Sequence, residues 1–430
     1  MVSLAFGLAV VCYGGTEPLT WHVTLATLGV TSGLYFAVAR PAAPPPGRLL
    51  TLMLSGFAVV CVLPLVPFPA ALVRALSPAS ARIHAAAVTA VGGATWFPLT
   101  VSPVATFQYC LMMLGALVLF LFVRDAGWRW RTRPWMVLLP PIAAATLEAI
   151  LGLVQVLSFG AAHAQGTYVN RNHYSGLLAL CLAPSAAAAW FLLRRHGLLS
   201  SRRTLASAAI QAGLALTAAT LILAGIVLSL SRGGFLAAIG AALAAGVAGG
   251  MGRSGRRWGP VAVAAGLAGV LSLLLPTGAL LDRFTAVAGS GDLSTATRMA
   301  IWRAILDLFR DFPLFGAGPG AFASVFHAYQ TMAPLEAVDR AHNDYLQLLA
   351  ELGIVGFAVV AALAVRAAAR AIQACGSRRP EIRYVSVACV GAFAAAAVHS
   401  VSDFNLYIPA NVLAVAWLAG VSEATAGAGG

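Results

Sequence analysis

Apolar runs of about the length needed to cross a hydrocarbon core of ~30 Å recur along the whole chain. Twelve can be laid out, near 1–14, 19–39, 49–67, 102–123, 134–157, 174–193, 204–230, 233–251, 259–277, 343–365, 384–402 and 408–423. Short polar connections rich in Arg, Gly and Pro separate them, and the pair around 204–251 is divided only by SLSRGG. In lipid every backbone group needs an internal partner, so runs of this length predict helices. The pattern predicts an all-α polytopic membrane protein with about twelve transmembrane helices. Its opening, MVSLAFGLAVV, lacks a basic leader region and reads as a first membrane segment.

Composition agrees: 60% of the 430 residues are apolar and 10% are charged, against roughly 25% charged in soluble domains. The 43 glycines suit close helix contact in lipid. Six scattered cysteines form no disulfide framework and no zinc motif. All 27 basic residues are Arg, and the net charge is +13. In a soluble chain that charge would suggest nucleic acid; here it sorts by membrane side instead. The connections RPAAPPPGR, RDAGWRWRTRP, RRHGLLSSRR and GRSGRRW, with 366–383, hold 18 arginines and face the cytoplasm, as do both termini. The other nine are Arg74, Arg82, Arg171, Arg232, Arg283, Arg298, Arg303, Arg310 and Arg340. These are expected to face the far side, the periplasm, and need another reason to be there.

The layout is one integral membrane domain: helices one to nine over 1–277, a long periplasmic loop over 278–342, and helices ten to twelve over 343–430. Within the loop, 297–311 reads as an amphipathic helix. Arg303, Asp307, Arg310 and Asp311 share one face; Trp302, Ile305, Leu308 and Phe309 share the other. That helix would lie on the membrane surface or on the bundle, with Arg298 turned inward on the apolar side. The glycine- and proline-rich FPLFGAGPGAF ends it.

Four polar clusters stand at far-side ends of membrane segments: Asn170–His173, Ser229–Gly234, His342–Tyr345, and His399 to Asn405. Convergence of polar groups at one depth suggests a cleft. Arg232 is the sharpest signal, because an Arg in a membrane helix costs roughly 2.5–3.5 kcal/mol on insertion scales. Gly233 and Gly234 follow it at a helix start, where backbone N–H groups attract anions, so a phosphate or diphosphate fits. The blander reading is a snorkelling Arg at the interface. His342 can act as a general base, and His173 competes for that role. His399 and Asp403 read as structural residues holding the last two helices. Glu148 is an intramembrane acid and a functional candidate by default, for which a salt bridge or hydrogen bond inside the bundle is the preferred explanation; Asp344 and Glu351 share another face and either orient the loop or pair with Arg. Ser229 and Ser231 lack a nucleophile elbow, and no metal or nucleotide motif appears.

Taken together, GTYVNRNHYSG (166–176), LSLSRGG (228–234), TRMAIWRAILDLFRDFPLFGAGPGAF (297–322), AHNDYLQLLAELGIVG (341–356) and HSVSDFNLYIPAN (399–411) resemble the O-antigen ligase and O-antigen polymerase superfamily of lipopolysaccharide biosynthesis. The likeness covers most of the chain after residue 160, in motif order. It implies a GT-C-type membrane glycosyltransferase that takes a glycan from undecaprenyl diphosphate on the periplasmic side, without metal or cofactor. A ligase delivers it to the lipid A–core; a polymerase delivers it to another glycan repeat. By this resemblance Arg171 and Arg232 bind the diphosphate and His342 deprotonates the acceptor. Arg298, Asn172, His173, Arg303, Asn343 and Tyr345 are the expected substrate contacts. A ligase is the preferred expectation. A polymerase, a protein O-oligosaccharyltransferase and a lipid-linked glycan transporter are the alternatives. Transporters usually show pseudo-repeats and helices broken at the bilayer midplane, whereas here the polar clusters gather at one face.

Overall fold

The computed structural model describes residues 2–91, 95–196, 202–250, 295–330 and 338–428. The expected ninth span at 259–277, the GRSGRRW connection and Arg283 lie outside the described residues. Each of the other eleven apolar runs carries a helix. These are α1 (Val2–Val11), α2 (Pro18–Val38), α3 (Arg48–Val62), α6 (Pro103–Arg129), α7 (Trp135–Leu157), α8 (Arg171–His196), α9 (Arg202–Leu228) and α10 (Arg232–Gly250). Three more follow the loop: α12 (Asp344–Ala374), α13 (Pro380–His399) and α14 (Pro409–Ala428). By length and composition, eight helices among the described residues can cross a membrane. Prolines at 140, 141 and 184 sit inside α7 and α8, which is tolerable where neighbouring helices re-satisfy the freed backbone.

Helix direction alternates as the arginines require. The first residues of α3, α7, α9 and α13 and the last of α6, α8 and α12 lie at or beside the arginine-rich connections. The opposite ends, including the starts of α8, α10, α12 and α14, meet at the other pole. There the chain between α3 and α6 is more regular than its sequence suggests. It forms two short helices, α4 (Ala70–Leu76) and α5 (Pro78–Val91). Two-residue strands pair Phe68 with Phe97 and Pro69 with Trp96.

The amphipathic helix exists as α11 (Thr295–Asp311). Its buried residues Ile301, Ala304, Ile305 and Leu308 pack with Phe312, Phe322, Phe326 and Ala350. It therefore lies against the end of the bundle. Arg303 and Arg310 remain on its exposed face, where Arg310 pairs with Asp307.

The run expected at 343–365 is longer and is not one continuous helix. α12 reaches Ala374 and breaks at Gly353, with φ 61° and ψ −170°. The glycine-rich turn after α11 docks into this break. Ile354 N donates to Pro313 O at 2.9 Å and Val355 N to Leu314 O at 3.1 Å. Ala317 N donates to Ala350 O at 2.9 Å and Gly318 N to Glu351 O at 3.0 Å. The backbones approach so closely that a Cβ on Gly353 would meet Gly316 N at 2.5 Å. Buried Glu351 completes the joint, accepting from Gly320 N at 2.6 Å, Phe322 N at 3.2 Å and Tyr407 Oη at 2.9 Å. Its side chain thus does the work of a backbone ladder that the turn cannot form. Glu351→Ala would orphan two buried N–H groups at roughly 1–3 kcal/mol each. Thermal unfolding in detergent should show a clearly lowered midpoint, with Glu351→Gln intermediate; a wild-type midpoint for Glu351→Ala would show the joint to be dispensable.

Candidate functional site

Three of the helices that begin at the polar pole have a polar side chain on the N-cap. Asn170 accepts from Asn172 N at 2.8 Å ahead of α8. Ser231 accepts from Gly234 N at 3.2 Å ahead of α10. Asn343 accepts from Leu346 N at 3.1 Å ahead of α12. Such caps satisfy N–H groups that the helix leaves without partners. They also fix what stands beside them: Arg171 and Arg232 are the first residues of α8 and α10, and His342 directly precedes the Asn343 cap. Three positive helix ends therefore share this pole, a field that favours an anion.

Other elements hold the starts of α8 and α10. Glu148 of α7 accepts from Thr167 N and Thr167 Oγ1, both at 2.8 Å. Gln155, two turns on, brackets Gly166 through its carbonyl and N–H. These bonds lock the turn leading into Asn170 and give the intramembrane acid a structural task. Gly234 of α10 lies directly against Ser175 of α8, and a Cβ on Gly233 would stand 2.6 Å from Ser402 Oγ. Only glycines let these three segments meet.

The loop between α13 and α14 is the hub. Asp344 N donates to Ser400 O at 2.9 Å and to Asp403 O at 3.1 Å, and the Asp344 carboxylate accepts from Ser400 Oγ at 2.7 Å. Asn411 Nδ2 bridges His173 O and Asn405 Oδ1, each at 3.0 Å. His399 is paired with Asn405 through Nδ1. Arg298 reaches in from α11, donating from Nη1 to Ser402 O at 3.0 Å.

At the centre lies Asp403, with a side chain 2% exposed. Its Oδ1 stands 3.6 Å from Nε2 of His173 and 3.6 Å from Nδ1 of His342. Phe404 meets both imidazoles edge-on, with ring centroids 4.6 Å from His173 and 5.1 Å from His342. Burial opposes the charge on Asp403, yet His173 and His342 outweigh it and hold the carboxyl well below the usual carboxylate range. With Nδ1 turned to Asp403, Nε2 of His342 is the nitrogen directed away from the acid.

His342 itself is strained, with φ 49° in the left-handed region that favours glycine. Its neighbours hold it there: Ala341 N donates to Gln347 Oε1 at 2.9 Å, and Trp302 Nε1 donates to Ala341 O at 3.0 Å. Among the described residues three non-glycines have positive φ, and two of them, Leu230 and His342, directly precede caps at this pole. Strain of this kind costs of order 1–3 kcal/mol and concentrates at functional sites.

The O-antigen ligase family model matches residues 216–361. That match supports membership of the O-antigen ligase superfamily. No curated protein matches the chain. The matched stretch holds Arg232, Arg298, His342, Asn343 and Tyr345, while Arg171, Asn172, His173 and Asp403 lie outside it.

The fold brings together His342, His173, Asn343, Arg298 and the capped helix starts bearing Arg171, Asn172 and Arg232. Two expected substrate contacts stand apart from this cluster. Arg303 is on the exposed face of α11. Tyr345 donates to Ala397 O at 2.8 Å, on the side of α12 facing an apolar cavity. Two residues that sequence reasoning gave no role in chemistry belong to the cluster. Asp403 was legible only as an acid in a polar motif. Arg340 donates to Tyr109 Oη at 2.6 Å and lies 5.8 Å from the Phe404 ring; its signal was its place among the nine far-side arginines. Among the described residues, no three of His, Cys, Asp and Glu gather as a metal-ligand set.

A carboxyl held low stabilises the fold above its unfolded pKa of about 3.9 and loses that contribution as the pH falls through its folded value. Asp403→Asn should therefore be less stable than wild type at pH 7. The gap should close as the pH is lowered from about 5 toward 2. Unfolding midpoints in detergent across this range test it; a gap independent of pH would mean that the carboxylate charge contributes nothing.

Proposed function

We propose that the protein is an O-antigen ligase, a GT-C-type glycosyltransferase of the bacterial inner membrane. It moves a glycan from undecaprenyl diphosphate to a hydroxyl of the lipid A–core on the periplasmic side. One observation carries the reading: His342 is set by Asp403 beside the capped helix starts that bear Arg171 and Arg232, so a base and an anion-binding pole share one place. The family match supports the transferase class.

In this reading the acceptor hydroxyl oxygen attacks the anomeric carbon while the bond from that carbon to the diphosphate oxygen breaks. The diphosphate leaves with the bonding electrons, and its charge grows as it departs. Guanidinium groups of Arg171 and Arg232, with the helix N-termini behind them, interact more strongly with that charge than with the ground state, which lowers the barrier. The acceptor proton passes to His342, and the Asp403 carboxylate facing Nδ1 stabilises the imidazolium that forms. His173 on the other side of Asp403 fixes the acid, and Arg298, through Ser402, steadies the loop that carries it. Cationic groups do the charge neutralisation for which a divalent metal would otherwise serve. Attack opposite to departure inverts the anomeric centre.

Purified protein reconstituted with lipid-linked glycan, offered either lipid A–core or a second lipid-linked glycan, tests the assignment. Product on lipid A–core is expected. Ladder growth on the polyprenyl carrier would make the protein a polymerase, and glycan movement across liposomes without acceptor a transporter. His342→Ala and Arg232→Ala should each lower turnover by roughly 10²–10⁴-fold without unfolding the protein. Near-wild-type rates in either variant would remove that residue from the mechanism, and a product that keeps the donor's anomeric configuration would exclude a single displacement.

A further inference from the structure

A second binding site lies at the opposite pole, among the arginine-rich helix ends. A pocket of about 280 Å³ there is lined by Arg124 of α6, Arg366 and Arg370 of α12, and Glu423 of α14. Glu423 is taken by Arg366, with Nε to Oε1 at 2.6 Å and Nη2 to Oε2 at 3.2 Å. Arg370 approaches the same carboxylate at 3.4 Å, but its buried Nε makes no hydrogen bond. Arg124 spends Nη2 on Pro44 O at 2.6 Å. The neighbouring acid, Asp125, does not neutralise the pocket. Its carboxylate accepts from Ala42 N at 2.6 Å and Ala43 N at 2.8 Å and pairs with Tyr35 and Arg129. Three guanidiniums thus face one carboxylate, which leaves two positive charges in a half-buried recess.

Beside this recess lies a larger cavity of about 460 Å³ that is apolar almost throughout, within the range of roughly 300–1,000 Å³ typical of ligand sites. Leu50, Arg366 and Glu423 line both spaces, so the two adjoin. The cavity runs between α3, α6, α12 and α14, past Phe57, Met112, Leu363 and Val415. Along α12 it is lined from Tyr345 to Ala368, across the break at Gly353. A cationic recess at a helix end beside an apolar slot within the bundle has the charge and apolar length of an anionic lipid. A soluble anion would use the recess and leave the slot dry. A neutral lipid would use the slot and leave the guanidiniums unmatched.

We propose that a membrane phospholipid with a net-anionic headgroup seats its phosphate among Arg124, Arg366 and Arg370 and runs an acyl chain between α3, α6, α12 and α14. Basic recesses between membrane helices are suited to such headgroups. The phosphate recess lies at the pole opposite the histidines, while the far end of the slot reaches Tyr345 and Ser400 beside the hub; the proposal does not depend on the glycosyl-transfer reading. Occupied, it ties α14 to α6 and α12 at the end opposite the chemistry.

Delipidated full-length protein in detergent, titrated with dioleoylphosphatidylglycerol, tests this by the unfolding midpoint and by lipid adducts in native mass spectrometry. A saturable rise in the midpoint is expected. Dioleoylphosphatidylcholine should give a response at least several-fold weaker, and glycerol phosphate, which lacks the chain, should give none. The pair Arg124→Gln and Arg370→Gln should weaken the phosphatidylglycerol response about tenfold or more while the lipid-free midpoint stays near wild type. Ala416→Phe, which fills the slot, should also weaken it. Glu423→Gln removes the resident anion and should tighten lipid binding even where it lowers the lipid-free midpoint. Equal responses to the two phospholipids, a full response to glycerol phosphate, or an undiminished response in the arginine variants would overturn the proposal. A midpoint rise with undecaprenyl phosphate that survives the arginine substitutions and is lost in Ala416→Phe would also overturn it, because the slot would then belong to a lipid entering from the histidine pole.

Discussion

Buried polar groups without partners are costly, and the short loop between α13 and α14 concentrates them at one end of an apolar bundle. Ser400, Asp403 and Asn405 are buried in that loop, and buried His399 ends α13 beside it. They find partners by drawing in other helix ends: Asp344 at the start of α12, His173 near the start of α8, Arg298 of α11 and Asn411 of α14. The hub thus joins elements that are distant in the chain. Asp403 is the member held least by neutral hydrogen bonds and most by charge, which couples the structure of the pole to the two imidazoles beside it.

The same economy explains the break in α12. A straight helix would leave the glycine-rich turn after α11 with buried, unpaired amides. Breaking at Gly353 exposes carbonyls and amides to that turn, and Glu351 supplies further acceptors. The turn then carries the chain back so that His342 is held between α11 and the hub. Strain at His342 is sustained because the bonds to Ala341 and Asp344 fix the backbone on both sides. Its left-handed conformation is the local cost of placing an imidazole against Asp403.

Charge divides the molecule into two poles with different tasks. At the histidine pole, arginines sit on capped helix starts and add to positive helix ends. At the other, arginines gather at helix ends around a single acid, Glu423, and border an apolar slot. An excess of guanidinium over carboxylate at both poles is what the two proposals rest on, a diphosphate leaving group at one and a lipid headgroup at the other.

Most of the bundle was legible in the sequence because hydropathy and length alone fix where a chain can cross lipid. Eleven of the twelve apolar runs are helices, and the twelfth lies outside the described residues. The amphipathic face of α11 was legible for the same reason, since its period of 3.6 separates Ile301, Ile305 and Leu308 from Arg303 and Asp307. Arg171, Arg232 and His342 stood out because charged or titratable residues beside apolar runs are costly. The tertiary structure alone decided that Asp403 stands between two histidines, that α12 breaks at Gly353, and that Arg303 points away while Arg340 lies over Phe404. None of these has a local signal. Each depends on which distant backbone or ring supplies the missing partner, and one-dimensional periodicity carries no record of that.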